Sequence, residues 1–258
     1  VARDIAAKVD GCVSFSHQQG CCQTPPDLTR VTQTLCGLST NPNLASVLLV
    51  GLGCEGTEMP EIREAVIASG KRVESIVIQE EGGAAKTIAK GVLLAQDMVY
   101  EASKIRPVEC GPEQLVLGLK CGSSDTTSGL ASNPALGVAV EKIVDENSTV
   151  VMGEITEFIG AEHIMAQHAK DEATGRKILD LVQRMEDRAK AIGVDMRGGQ
   201  PTPGNIAGGL TTIEEKSLGA IAKAGNAVVQ EVYEYGERPQ VKGLVVMDSP
   251  GREPEILT

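Results

Sequence analysis

Short aliphatic runs alternate along the chain with longer stretches whose apolar residues recur at helical spacing. Leu44–Leu52, with Val47–Val50 at its heart, Val73–Gln79, Leu115–Leu119, Thr149–Met152 and Gly243–Met247 have strand length and end in glycine, proline or polar residues. Gly11–Ser16 reads as a further short strand. Between them the spacing predicts helices over 27–38, from Pro60 to Gly70, over 84–103, 134–146, 155–169 and 172–192, and from Thr212 to about Lys223. Thr212-Ile-Glu-Glu215 has the form of a capping box, and residues 193–210 read as a loop. Aliphatic strands alternating with capped helices predict an α/β fold: a mainly parallel sheet with flanking helices and a helical excursion around 155–225. The expected organisation is a single domain over 1–258, with a sub-boundary possible near 107–114.

The stretch from Leu115 to Gly137, LVLGLKCGSSDTTSGLASNPALG, is the most distinctive. A strand runs into a loop of small and polar residues, Cys121 to Gly129. Asn133-Pro134 then reads as an N-cap followed by proline at the first helical position. Strand, helix and strand at this spacing make a βαβ unit. The loop then sits at the carboxyl end of a strand and feeds a helix N-terminus, where open α/β sheets take anionic ligands. Ser123, Ser124, Asp125 and Asn133 are therefore expected to bind substrate.

Composition narrows the picture. Hydrophobic residues make up 41% of the chain but aromatics only 2%, with no Trp, so the core must be aliphatic, as in a buried parallel sheet. A net charge of −11 without a basic run argues against nucleic acid. No run of 18 apolar residues predicts a membrane span, and no signal peptide opens the chain. Seven scattered cysteines, an odd number, do not suggest a disulfide framework; a cytoplasmic protein with free or metal-binding thiols is expected. The start at Val1 and a helix-like start at Pro254 suggest a fragment trimmed at both ends.

Five predicted strand ends carry ligand or acid–base side chains: His17 and Cys21, Cys54 and Glu55, Glu80 and Glu81, Cys121 and Asp125, then Glu154. Parallel strands of one sheet would bring all five to one edge. Cys21, Cys54 and Cys121 each neighbour a glycine, and the chain has no CxxC, which disfavours a structural zinc knuckle. Three thiolates from separate loops suit iron, as Fe2+ or in an iron–sulfur cluster with one open position. Cys12, Cys36 and Cys110 read as small buried hydrophobes. His17 suits a ligand or a base. Glu154 and Glu157 lie one helical turn apart; Glu157 fits a surface residue as well as a site residue.

The motifs HQQGC at 17–21, LGCE at 52–55, IQEEGG at 78–83, KCGSSDTTSGLASNPALG at 120–137, GEITEFIGAEHIMAQHA at 153–169 and PGNIAGGLTTIEEKSLGAIAKAG at 203–225 span nearly the whole chain. Together with the terminal LVVMDSPG, they resemble the altronate dehydratase/galactarate dehydratase (UxaA) family. The resemblance implies a metal-dependent hydro-lyase that converts a sugar acid into a 2-keto-3-deoxy acid. A sulfo-lyase acting on sulfolactate is similar in sequence and releases sulfite. The resemblance also implies that this is the main catalytic portion, with a small N-terminal domain, fused or on a partner subunit, and a C-terminal segment lying outside it. The adjacent Cys21-Cys22 pair departs from the family pattern.

Proton removal beside a carboxylate builds charge that a metal or oriented donors must stabilise, and it needs a base. His17, Glu154 and Lys216 are the candidates. The helix N-termini at Asn133 and Thr212, with Gly208, Gly209 and Thr211, are expected to hold the substrate carboxylate. A homo-oligomer is expected. Two other readings compete: a non-catalytic ligand-binding homologue, and a dinucleotide-binding oxidoreductase. The latter is weak, because no GxGxxG follows the first strand.

Overall fold

The computed structural model describes residues 1–17 and 20–249. After a short helix α1 (Ala2–Ala6), α2 (Pro25–Ser39) leads into β1 (Ser46–Gly51), α3 (Met59–Ala68), β2 (Arg72–Val77) and α4 (Ala84–Ala102). Strand β1 pairs in parallel with β2, so β1, α3 and β2 form a βαβ unit. Ile5, Val9, Ile76 and Ala95 are the buried heart of this part, with Leu48, Val50, Val92 and Val99 packed around them. It forms one compact unit, Val1–Glu109; a second runs from Cys110 onward. The change at Glu109/Cys110 falls within 107–114.

The second unit holds β3 (Val116–Leu119), α5 (Asn133–Asp145), β4 (Thr149–Met152), α6 (Glu162–Gln167), α7 (Glu172–Ala191), two short helices α8 (Met196–Gly199) and α9 (Pro203–Ala207), α10 (Ile213–Ile221), β5 (Val229–Tyr233) and β6 (Gly243–Met247). Its sheet has the order β3-β4-β6-β5, all parallel. Leu244, Val245 and Val246 on β6 are buried, as a central parallel strand requires. Val140, Val150, Met152, Ile155, Phe158, Met165, Ile178 and Val229 fill the core around them.

The α/β class with parallel sheets and flanking helices holds, and the structure corrects several details. The strands form two sheets, so the single edge expected to collect five strand ends becomes two edges. Gly11–Ser16 is not a strand. Val13 and Phe15 point outward, 68% and 46% exposed, so pairing would bury nothing on that face. The helix expected over 155–169 is a 3-10 turn (Ile155–Glu157) and then α6, with Gly160 (φ +92°) between them. Strand β5 was not expected, and the loop over 193–210 contains α8 and α9. The expected helix start at Pro254 lies outside the described residues.

Asn133 is not an N-cap. A helical path begins at Thr126, and a π-helical turn over Ser128–Ser132 runs straight into α5. Proline inside an α-helix lacks a donor and crowds the carbonyl four residues back. The wider π turn just before Pro134 absorbs that misfit. The true N-cap is Asp125, whose Oδ1 accepts from the Ser128 amide (2.9 Å) and the Thr127 hydroxyl (2.7 Å).

A Cβ on the buried Gly137 of α5 would lie 2.6 Å from the Ala222 carbonyl oxygen and 2.9 Å from the Gly225 Cα. Alanine is worth up to about 1 kcal/mol over glycine in a helix. Here it must displace backbone, which costs about 1–3 kcal/mol as overpacking. Gly137→Ala should therefore lower the stability of the second unit, by up to about 2 kcal/mol net. Urea unfolding followed by circular dichroism checks this, and a midpoint at or above wild type would contradict the packing described.

Candidate functional site

The second unit gathers most of the chemistry. Lys120 and Cys121 follow β3, and Glu154 follows its neighbour β4. Glu154 is 4% exposed and sits in the left-handed region (φ 62°, ψ 58°), a costly conformation for a residue with a side chain. Its amide donates to the Ser249 hydroxyl (2.8 Å), and its carboxylate turns back toward the 121–128 loop. Oε1 accepts from Lys120 Nζ (2.6 Å) and Oε2 from the Cys121 amide (2.7 Å). Lys223 Nζ, on the 3-10 turn Ala222–Ala224, lies 3.6 Å from Glu154 Oε2 and 2.9 Å from Glu157 Oε2. Lys223 is 2% exposed and Glu157 8%. Two lysines and two glutamates thus form an alternating chain beside Cys121, three of them buried and Lys120 half-buried.

Cys121 Sγ lies 3.2 Å from Ser124 Oγ. Burial pushes its thiol above the usual range, the Ser124 hydroxyl opposes that, and the Glu157 carboxylate adds to the rise. Asp125 is held below the usual carboxylate range by the Thr127 hydroxyl first and then the Ser128 amide.

The loop is anchored on its other side by the excursion before α10. The Thr126 amide and hydroxyl both donate to the Gly208 carbonyl (3.0 Å each), and Asn205 Nδ2 donates to the Ser124 carbonyl (2.9 Å). A Cβ on Gly209 (φ +96°) would meet Thr126 Oγ1 at 2.3 Å, so only glycine lets the two loops come this close. Lys216 Nζ donates to Gln200 Oε1 (2.9 Å) and Asn205 Oδ1 (3.3 Å). The structure therefore joins Cys121, Ser124, Asp125, Glu154, Gly208, Gly209 and Lys216 through one hydrogen-bonded frame, with Ser123 exposed on the same loop.

Two expected substrate contacts are engaged elsewhere. Asn133 Nδ2 donates to the Gly219 carbonyl (2.8 Å), tying α5 to α10. The Thr211 amide donates to Glu215 Oε2 (2.8 Å) while Thr212 Oγ1 accepts from the Glu215 amide (3.2 Å), so the α10 N-terminus is capped by its own residues.

His17, Cys21 and Cys54 belong to the first unit. The Gly56 amide donates to the Gly20 carbonyl (2.7 Å), joining the loop before Cys21 to the loop after β1. Cys21 and Cys22 are exposed with sulfurs 3.6 Å apart; the Cys22 contact, then burial and Cys54, push the Cys21 thiol up. Burial raises Glu55, but its bonds from the Gly53 (2.6 Å) and Leu52 (3.0 Å) amides prevail and hold it below the usual range. His17 and Glu55 line a cavity of about 540 Å³, whose walls also include Leu35, Leu38, Leu48, Val50, Met98 and Val99. Such aliphatic walls suit a polyhydroxy acid poorly. Among the described residues no three His, Cys, Asp or Glu side chains are grouped as metal donors, and no helix is long and apolar enough to cross a membrane.

Lys120 and Lys223 escaped the sequence reading. Lys223 did carry a signal: it is the lone charge in the apolar run from Ala220 to Ala224.

The family models decide the identity of the fold. Residues 112–258 match "D-galactarate/Altronate dehydratase, C-terminal", and residues 1–103 match "D-galactarate dehydratase/Altronate hydrolase, second domain". The chain belongs to the D-galactarate/altronate dehydratase family. It is 38% identical to the (2R)-sulfolactate sulfo-lyase subunit beta of Chromohalobacter salexigens over 100% of this chain and 66% of that one. It is 34% identical to the altronate dehydratase of Escherichia coli over 96% of this chain and 50% of the relative. For the altronate dehydratase of Bacillus subtilis the figures are 35%, 96% and 49%. The chain thus spans between about half and two thirds of the length of these relatives.

Within the second unit, the raised Cys121 thiol should alkylate more slowly than the exposed Cys110 at neutral pH, because the thiolate is the nucleophile. The gap should narrow as pH rises through the Cys121 range. Site-resolved mass spectrometry of iodoacetamide labelling gives the two rates; equal rates at neutral pH would refute the assignment.

Proposed function

We propose that this chain is the main catalytic portion of a lyase that removes water from a sugar acid such as altronate or galactarate, giving a 2-keto-3-deoxy acid. The observation that carries this reading is the identity of 34% and 35% to two altronate dehydratases over 96% of the chain. The frame around Cys121, Ser124, Asp125 and Lys216 supports it, because it presents hydroxyl, carboxylate and ammonium groups suited to a hydroxy acid. An ammonium bonded to two neutral amide oxygens exchanges one of them for a substrate carboxylate with a gain in bond strength. Lys216 is accordingly our choice for the carboxylate, with the Ser123 and Ser124 hydroxyls toward the substrate hydroxyls. Glu154 is our first choice for the base. Both its oxygens are engaged in the free protein, so acting as a base requires one bond to lengthen as substrate binds. His17 is the alternative base.

We further propose a divalent metal, iron as Fe2+ or within an iron–sulfur cluster, with cysteine thiolates as donors, Cys21 and Cys54 of the first unit among them. The sequence pattern supports these donors; among the described residues no three His, Cys, Asp or Glu side chains form a ready donor set. When bound, such a metal supplies positive charge against the electron density that builds on the substrate carboxylate. Anaerobic purification followed by metal analysis should give near-stoichiometric iron, lost in Cys54→Ser; iron-free wild-type protein would end the proposal.

A second reading, a sulfo-lyase on (2R)-sulfolactate, is favoured by the 38% identity over the whole chain to a subunit of such an enzyme. That relative's designation as a beta subunit supports a partner subunit here too. The two readings separate in parallel assays of the full-length protein with its partner: altronate and galactarate followed as 2-keto-3-deoxy acid, and sulfolactate followed as sulfite. Turnover of none of the three would favour a ligand-binding homologue. With the acid that is turned over, Glu154→Gln should lower kcat by at least about 100-fold. Near-normal kcat would remove Glu154 and leave His17 or Lys216 as the base.

A further inference from the structure

The charge chain contains a lysine that the proposed chemistry does not use. Lys223 is almost wholly buried at the end of α10, and its ammonium lies 2.9 Å from Glu157 Oε2 and 3.6 Å from Glu154 Oε2. The two carboxylates come from residues three apart across a single 3-10 turn, and both are buried. Two anions so placed repel strongly away from water unless a cation lies between them. Lys120 neutralises Glu154 on its other oxygen, facing the loop. Within this set the charges balance at two positive and two negative.

We propose that Lys223 is a positioning residue: its ammonium cancels the repulsion between Glu154 and Glu157 and so holds the Glu154 carboxylate on the Cys121 amide. The 2.7 Å bond from that amide to Glu154 Oε2 fixes the start of the 121–128 loop, and the oxygen that accepts it is the one nearer Lys223. Removing the ammonium leaves an excess negative charge between two buried carboxylates. Glu154 keeps its bond from Lys120 and is pushed away from Glu157 toward that ammonium, which strains and lengthens the bond from the Cys121 amide. Lys223 therefore acts on the candidate site without touching a substrate. The consequence for turnover rests on the lyase reading; the structural consequence does not.

The test is a spectroscopic one on the whole chain. Labelling with 15N-cysteine gives seven amide cross-peaks, one for each cysteine, and loss of one in Cys121→Ser assigns that of Cys121. An amide that donates to a carboxylate reports directly on that bond. Lys223→Met keeps the aliphatic stem and removes the charge; it should displace the Cys121 cross-peak. Glu157→Gln/Lys223→Met restores the charge balance and should return the peak toward its wild-type position and raise the melting temperature above that of Lys223→Met. Lys177→Met, which breaks an exposed pair with Glu231, should leave the peak in place. A lysine that merely packs would not be rescued by Glu157→Gln. An unmoved peak in Lys223→Met, or equal displacement in the single and double variants, overturns the proposal. Should Lys223→Met fail to fold, a folded double variant with a wild-type Cys121 peak supports it, and an unfolded double variant overturns it. If wild-type protein turns over none of the acids, the lyase reading falls while the cross-peak result still stands or fails by itself.

Discussion

The second unit depends on a way of taking four charges out of water together, three of them buried and the fourth half-buried. Ionised groups away from water are costly unless each faces an opposite charge and its remaining hydrogen-bond capacity is used. Lys120, Glu154, Lys223 and Glu157 meet that requirement in a line: one ammonium on each side of Glu154, and Glu157 beyond the second. The line connects the end of β3, the end of β4 and the turn after α10, so three elements distant in sequence take their relative positions from it. Removing one member of such a set typically costs about 3–5 kcal/mol, because the partner left behind stays buried and unpaired. The left-handed backbone at Glu154 is best understood in the same terms. An ordinary extended or helical conformation would aim the carboxylate elsewhere, and the ion pairs offset the strain of the one observed.

Outside this charged line stands a second, more exposed polar layer. Asp125 caps the helical path that begins at Thr126, and Thr126 is bonded to Gly208. Asn205 bridges the Ser124 carbonyl and the Lys216 ammonium. The excursion that supplies Gln200, Asn205 and Gly208 is itself held by Arg197, which pairs with Glu186 (2.7 Å), Glu162 (3.4 Å) and Glu214 (3.9 Å). Arg197 is raised above its usual range by the Glu186 hydrogen bond first, as expected of a cation shared among carboxylates. The loop that carries Ser123 and Ser124 is thus gripped from two sides, and a site on a loop needs such support to hold its geometry.

The elements legible in the sequence were those whose pattern is decided by burial. Val47–Val50 and Leu244–Val246 are unbroken aliphatic runs; the second is buried on both faces as a central parallel strand, and the first is half-buried in its two-stranded sheet. Strand β5 escaped because Val229-Gln-Glu-Val-Tyr233 is half polar: Glu231 pairs with Lys177 and Lys170, and a register shift falls between Val229 and Glu231. Asn133-Pro134 misled for a local reason: it is a good helix start by composition, but Asp125 begins the helix a full two turns earlier and a π turn accommodates the proline. The convergence of Cys121, Asp125 and Glu154 was legible because adjacent parallel strands bring their carboxyl ends together. Lys120 and Lys223 were not, since only the fold shows that two lysines point inward toward two glutamates.

The lysines of this unit differ in what holds them, and that difference sorts their roles. Lys120 and Lys223 face carboxylates in buried surroundings, where charge-assisted bonds are about twice as strong as neutral ones. Pulling either away leaves an uncompensated anion, so neither is free to follow a ligand. Lys216 faces the amide oxygens of Gln200 and Asn205, is only half-buried, and leaves behind no charge when it moves. A carboxylate arriving at the loop therefore competes on favourable terms for Lys216 and on poor terms for the other two. The charged line and the polar layer are accordingly built for opposite tasks: the first holds the loop still, and the second keeps one cation available at its edge.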